Sequence, residues 1–136
     1  MLKLLVVEDH ALVREGLAQT LRQLGTDVTV LEAADCDAAN RHLLTCGVVD
    51  LMLLDLGLPR LDGLSYLSTL RKRYPSMPVV ILSAFNDAAT VSKAMKSGAA
   101  GFVSKTYSSE RLLEALREVL AGRSSVPVGA AFSTVA

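Results

Sequence analysis

The chain has 136 residues, 51% of them hydrophobic and none of them Trp, and its fourteen basic side chains balance fourteen acidic ones. That length suits one domain with a single core, and that composition makes it a core of Leu, Val, Ala and Ile. A neutral chain with no basic stripe carries no electrostatic footprint for nucleic acid, and no apolar run reaches the roughly 20 residues of a membrane-spanning helix.

The first element is an apolar strand over 2–7, Leu-Lys-Leu-Leu-Val-Val, followed at once by Glu8-Asp9. An acidic pair this early also argues against a signal peptide. Val13, Leu17, Leu21 and Leu24 recur at helical spacing, which predicts a helix over 11–24 closed by Gly25. A second strand covers 28–33. The second helix has Asp35 or Asp37 as its cap, carries Leu43 and Leu44, and ends at Gly47. Cys36 and Cys46 both fall in it, too far apart at about 1.5 Å rise per residue to pair. Two free thiols fit a reducing, cytoplasmic setting.

The third strand, 49–54, is nearly all apolar, as a central strand covered on both faces should be, and Asp55 follows it. Pro59 and Asp62-Gly63 mark a loop before a helix with Leu64, Leu67 and Leu70, which runs to Tyr74 and is stopped by Pro75. The fourth strand, 78–82, leads into Ser83-Ala84. Asn86 or Asp87 opens a fourth helix with a thin apolar face of Ala88, Val91 and Met95, ending at Gly98. The fifth strand, 101–104, leads into Lys105. Ser108 caps the last helix, whose Leu112, Leu113, Leu116, Val119 and Leu120 face inward. Five strands alternating with five helices argue for βαβ units and a parallel sheet. Residues 1–122 form this domain, and 123–136, small and aperiodic, read as a linker or tail.

In an open α/β sheet, ligands bind outside the carboxyl ends of the strands. Glu8, Asp9, Asp55, Ser83 and Lys105 all fall at those ends. Each has an ordinary reading: a helix-dipole partner, a turn residue, a solvated charge. Together, three carboxylates at ~4 Å and an effective dielectric near 20 would repel by about 4 kcal/mol per pair, so the group calls for a cation. Mg²⁺, with its preference for hard oxygen ligands, is the natural one. Asp55, expected to stand exposed at the sheet edge, can act as a nucleophile on phosphorus. Lys105 would serve as a point charge for the phosphoryl group, and Ser83 as a hydrogen-bonding hydroxyl with Ala84 leaving room beside it. Phe102 reads first as a core aromatic, and His10 as a surface group.

The order and placing of these residues resemble the response-regulator receiver family from Met1 to about Gly122, in VVEDH (6–10), LLDLGLP (53–59), LDG (61–63), ILSA (81–84) and GAAGFVSK (98–105). The Glu-Asp-His opening and the Gly-Ala-Ala-Gly-Phe run are most similar to the LuxR/NarL-type subgroup. The resemblance implies a flavodoxin-like, doubly wound five-stranded parallel sheet of order 2-1-3-4-5 with five helices. It implies that Asp55 is the phosphoacceptor, and that Asp9, Asp55 and the Gly57 carbonyl bind Mg²⁺ with Glu8 acting through water. It further implies that Lys105 contacts the phosphoryl group and that Ser83 and Phe102 form a switch pair, Phe102 following Ser83 inward. Helix four, with the thinnest apolar face, should be the element that moves. Thr106 follows Lys105 where the family often has a cis proline, and Phe102 lacks the hydroxyl of the commoner Tyr.

The reading is a signalling domain that takes phosphate from a sensor histidine kinase, acts as an enzyme only toward itself, and controls an output, with a homodimer as one consequence of phosphorylation. Subgroup members usually carry a helix-turn-helix domain, which would follow a linker such as 123–136. This chain itself is expected to bind neither nucleic acid nor membrane. A stand-alone receiver docking on a partner protein is the alternative. A flavodoxin-like cofactor binder would need a Gly/Ser/Thr-rich phosphate loop where this chain has Glu8-Asp9. A haloacid-dehalogenase-type phosphatase would need an Asp-x-Asp at the end of strand one, and Glu8-Asp9-His10 does not supply it.

Overall fold

In the computed structural model, which describes residues 1–59 and 62–127, the apolar runs pair side by side as strands β1 (Leu2–Val7), β2 (Val28–Ala33), β3 (Leu51–Asp55), β4 (Val79–Ser83) and β5 (Gly101–Ser104). All neighbours are parallel and the order is β2-β1-β3-β4-β5, as expected. Between them lie α1 (Ala11–Leu21), α2 (Cys36–Thr45), α3 (Gly63–Arg73) and α4 (Ala88–Lys96), with α5 (Ser109–Leu120) last.

Strand side chains alternate between two faces, and each face has its own core. Leu5, Val7, Met52, Leu54, Ile81 and Phe102 pack with residues of α2, α3 and α4. Leu4, Val6, Leu51, Leu53, Val80 and Val103 pack with α1 and α5. Every residue of β3 and β4 is buried, which is why those strands read as unbroken apolar runs. Each fully buried Leu, Val or Ile contributes about 1.5–3 kcal/mol, so the sheet is fixed mainly by these two layers.

Helix starts follow local chemistry. The carboxylates of Asp35, Asp62 and Asp87 and the hydroxyl of Ser108 accept from backbone N–H groups in the first turns of α2, α3, α4 and α5. Asp62-Gly63, expected in a loop, instead opens α3: Asp62 is its cap and Gly63 its first residue. The first helix ends at Leu21 and tightens into a 3₁₀ turn over Arg22–Leu24 before Gly25. Cys46 caps the end of α2 rather than lying within it.

Two apolar residues of these helices lie exposed. Leu44 is 70% exposed, because neighbours in a helix point about 100° apart and Leu43 takes the inward position. Val13 is 41% exposed, since the first turn of α1 overhangs the sheet edge and borders only a small cleft with Lys105 and Tyr107. The helix expected to have the thinnest apolar face shares that property: α1, α2 and α4 each bury two residues, and in α4 they are Val91 and Ala94.

The boundary at Gly122 falls short of the packed body. Ser125 forms a parallel bridge with Gly101, its carbonyl accepts from the Phe102 N–H at 2.8 Å, and Val126 packs on the core. Residues 123–127 thus run along the open edge of β5. Residues 128–136, the rest of the expected linker, and Leu61 of the LDG segment lie outside the described residues.

Candidate functional site

The β1 ladder stops at Val7, and the next three residues turn across the sheet edge. The Glu8 N–H still donates to the Ala33 carbonyl at 3.0 Å, tethering the turn to β2. Glu8 is fully buried, while the Asp9 and His10 side chains are 30% and 71% exposed. The His10 N–H donates to Glu8 Oε2 at 3.1 Å, and its Nδ1 stands 3.4 Å from Glu8 Oε2 and 3.5 Å from Asp9 Oδ1. Ligand atoms of Glu8, Asp9 and His10 lie within 4.8 Å of one another. His10, read as a surface group, is exposed yet beside both acids.

Asp55 is the last residue of β3. It was expected to be exposed and is 2% exposed: the neighbouring strands and the turn after β3 enclose it, with the Gly57 N–H donating to Oδ1 at 2.9 Å. Its Oδ2 faces the Lys105 ammonium at 3.2 Å, and the same ammonium is 2.9 Å from Glu8 Oε1. Lys105 is aimed by its backbone, whose N–H donates to the Ser83 carbonyl at 2.9 Å. The repulsion that the sequence reading assigned to Mg²⁺ for relief is relieved here by Lys105. Burial lowers the pKa of that ammonium, but hydrogen bonds and charge from Glu8 and Asp55 outweigh it, so the net shift is upward.

The residues present suit a hard divalent cation. They offer carboxylate oxygens, the donors Mg²⁺ prefers, and the buried Asp9 Oδ1 has no hydrogen-bond partner. Asp55 does not join the tight Glu8–Asp9–His10 group; the ammonium lies between it and Glu8.

On the other side of Asp55 opens a cavity of about 400 Å³, lined by Asp55, Gly57, Ser83, Ala84, Thr90 and Lys105 among others. Ser83 is buried, and its Oγ accepts from the Phe85 N–H at 3.0 Å. Phe102 is fully buried, in the core that holds Ile81, Val91 and Ala94. Phe102 is thus the core aromatic that its place in β5 leads one to expect. The Lys105–Thr106 bond is trans, like every peptide bond among the described residues. Thr106 is held by Ser104, whose Oγ accepts from the Thr106 N–H at 3.1 Å and lies 2.7 Å from Thr106 Oγ1.

The structure thus brings Glu8, Asp9, Asp55, Ser83 and Lys105 to one edge with Gly57, and keeps Phe102 beneath it. Sequence reasoning missed Arg14, whose guanidinium donates to the Glu8 carbonyl at 2.9 Å, and Thr90, which lines the cavity. Nothing in the local sequence marks either one, since both are ordinary polar residues in helical first turns.

Comparison with known proteins agrees with this arrangement. Residues 4–117 match the family model described as the response regulator receiver domain. The chain is 35% identical over 127 residues to the glycerol metabolism activator of Pseudomonas putida, covering 93% of this chain and 58% of that protein. It is 34% identical over 119 residues to the nitrate/nitrite response regulator protein NarL of Escherichia coli K12, covering 88% and 55%. The chain therefore spans less than two thirds of the length of these relatives. A solved two-component response regulator of the LuxR family from Aurantimonas sp. SI85-9A1 superposes with a TM-score of 0.86 at 28% identity, covering 98% of this chain and 94% of that one.

Proposed function

This chain belongs to the response-regulator receiver family, and on that premise we propose that it is a phosphorylation-controlled switch with Asp55 as its phosphoacceptor. The observation that carries the proposal is a buried carboxylate paired with an ammonium at the mouth of a cavity. Asp55 contacts Lys105 at 3.2 Å beside about 400 Å³ of space that Ser83 and Thr90 help to line.

The donor is a phosphohistidine on a sensor kinase. An Asp55 carboxylate oxygen attacks phosphorus, the P–N bond breaks, and the imidazole leaves with the bonding pair and takes up a proton. Attack by water on the acyl phosphate later returns the free carboxylate. Lys105 turns from Glu8 and Asp55 toward the added phosphoryl oxygens as a point charge, and the Ser83 hydroxyl exchanges its backbone partner for one of them. Asp9, Asp55 and the Gly57 carbonyl, with Glu8 through water, would hold Mg²⁺. The ion would supply neutralisation of charge on the transferring group, which with positioning makes up most of phosphoryl-transfer catalysis.

The response is a population shift in the surface formed by β4, α4 and β5. Ser83 links the site to the β4–α4 loop through Phe85, and α4 buries little apolar area to be lost on moving. The output is transcription, through a DNA-binding domain that is not among these residues. Homodimerisation on phosphorylation and a cytoplasmic setting, in keeping with two free thiols, complete the reading. Among the described residues, no helix is long and apolar enough to cross a membrane.

The test is amide hydrogen exchange with and without beryllofluoride and Mg²⁺. Changed protection across β4, α4 and β5 is expected, and identical protection would count against the mechanism.

A further inference from the structure

Arg14 lies in the first turn of α1, where the helix dipole disfavours a cation. Its side chain is nonetheless only 18% exposed. Among the five α-helices, α1 is the one without a side-chain cap, so its start is fixed by something other than capping. The Arg14 guanidinium makes two contacts. One nitrogen donates to the Glu8 carbonyl at 2.9 Å, and Nε donates to Glu32 Oε1 of β2 at 3.3 Å.

The Glu8 carbonyl lies one residue beyond the β1 ladder, where the register with β2 and β3 has ended at Val7. A buried carbonyl with no partner is costly, and here a side chain supplies the partner. The consequence is geometric. The Glu8 carbonyl and the Asp9 N–H belong to one rigid peptide plane. With the Glu8 N–H tied to Ala33 and its carbonyl tied to Arg14, the backbone carrying both carboxylates is held from two sides.

We infer that Arg14 is a positioning residue for the acidic site: anchored on Glu32, it fixes the Glu8–Asp9 peptide so that both carboxylates address the cation position. The inference rests on the reading of this edge as a Mg²⁺-dependent phosphoacceptor site. A role through charge alone makes the opposite forecast, because removing a cation near two acids would strengthen divalent binding, whereas loss of positioning weakens it.

Calorimetric titration of the 136-residue chain with Mg²⁺ separates these, using Arg14→Met, Arg14→Lys and Glu32→Gln, with Asp9→Asn as reference and thermal midpoints in EDTA to check folding. Positioning predicts Mg²⁺ affinity lowered about tenfold or more in both Arg14 variants, the scale found when groups orienting metal ligands are removed. It predicts a smaller loss in Glu32→Gln, which keeps the guanidinium but frees one end of it. Tighter binding by Arg14→Met, or unchanged binding by Arg14→Lys and Glu32→Gln, overturns the inference; the latter pair decides if Arg14→Met fails to fold. A parent chain with no Mg²⁺ binding that Asp9→Asn abolishes would instead overturn the functional reading on which it rests.

Discussion

Replacing Lys105 with Met removes the cation that separates two buried carboxylates, and the structure sets the size of the effect. The ammonium is 2.9 Å from Glu8 Oε1 and 3.2 Å from Asp55 Oδ2, so those oxygens are at most about 6 Å apart, the two contacts laid end to end. At an effective dielectric near 20, two like charges at that distance repel by about 3 kcal/mol. The side chain of Lys105 is 26% exposed, so water screens part of this, and the shift of either carboxylate to its neutral form sets a ceiling on the rest. A loss of about 3 kcal/mol lowers the melting midpoint of a domain this size by about 10 °C. The assay is urea unfolding of parent and Lys105→Met at pH 7 and pH 5, with and without Mg²⁺. In the variant the two carboxylates repel only while both are charged, so the deficit is expected to be larger at pH 7 than at pH 5, and Mg²⁺ restores part of it at pH 7. In the parent, the Lys105 pKa lies above its ordinary value of 10.5, so its contribution is complete below that value and is lost as pH rises through the raised one. A Lys105→Met chain as stable as the parent at pH 7 without Mg²⁺ would refute the reasoning.

Three further expectations concern the rest of the molecule. The Cys46 thiol is drawn below its usual pKa by hydrogen bonds with His42 and Thr45, while that of Cys36 is pushed up by burial and by Asp35 and Asp37. Iodoacetamide at neutral pH should therefore label Cys46 first, since the thiolate is the reacting form and more of it is present at Cys46; equal or faster labelling of Cys36 on peptide mapping would contradict this. Gly98 has φ of 107°, and an added Cβ would come within 2.8 Å of Arg71 Cγ. Gly98→Ala should thus cost about 1–3 kcal/mol in urea unfolding, and a neutral result would show that the end of α4 adjusts freely. With net charge zero there are few side chains placed to release counterions from DNA, so gel-shift titration at low salt should show no sequence-selective binding by this chain.

The strands and their ends were legible because a buried parallel strand is written as a continuous apolar run, and the polar residue that breaks it is the one delivered to the sheet edge. That logic found Glu8, Asp55, Ser83 and Lys105 directly. It did not give the burial of Asp55, because the enclosing turn at Gly57 and the neighbouring strands come from elsewhere in the chain. Nor did it give the state of Lys105, since which acids an ammonium bridges depends on side-chain reach across three strands. Arg14 and Ser125 were missed for a related reason. Each completes a backbone group left open at the end or edge of the sheet, the Glu8 carbonyl and the Phe102 N–H, and such vacancies exist only once the strands have been placed. The exposure of Val13 was not legible, because helical periodicity gives the direction of a side chain but not whether a strand lies beneath it.

Intact-mass measurement after incubation with a small phosphodonor tests the central claim most directly. The chain should gain the mass of one phosphoryl group in the presence of Mg²⁺, lose it on treatment with base as an acyl phosphate does, and gain none when Asp55 is replaced by Asn. Stable incorporation that persists in Asp55→Asn, or no incorporation by the parent chain, would contradict it.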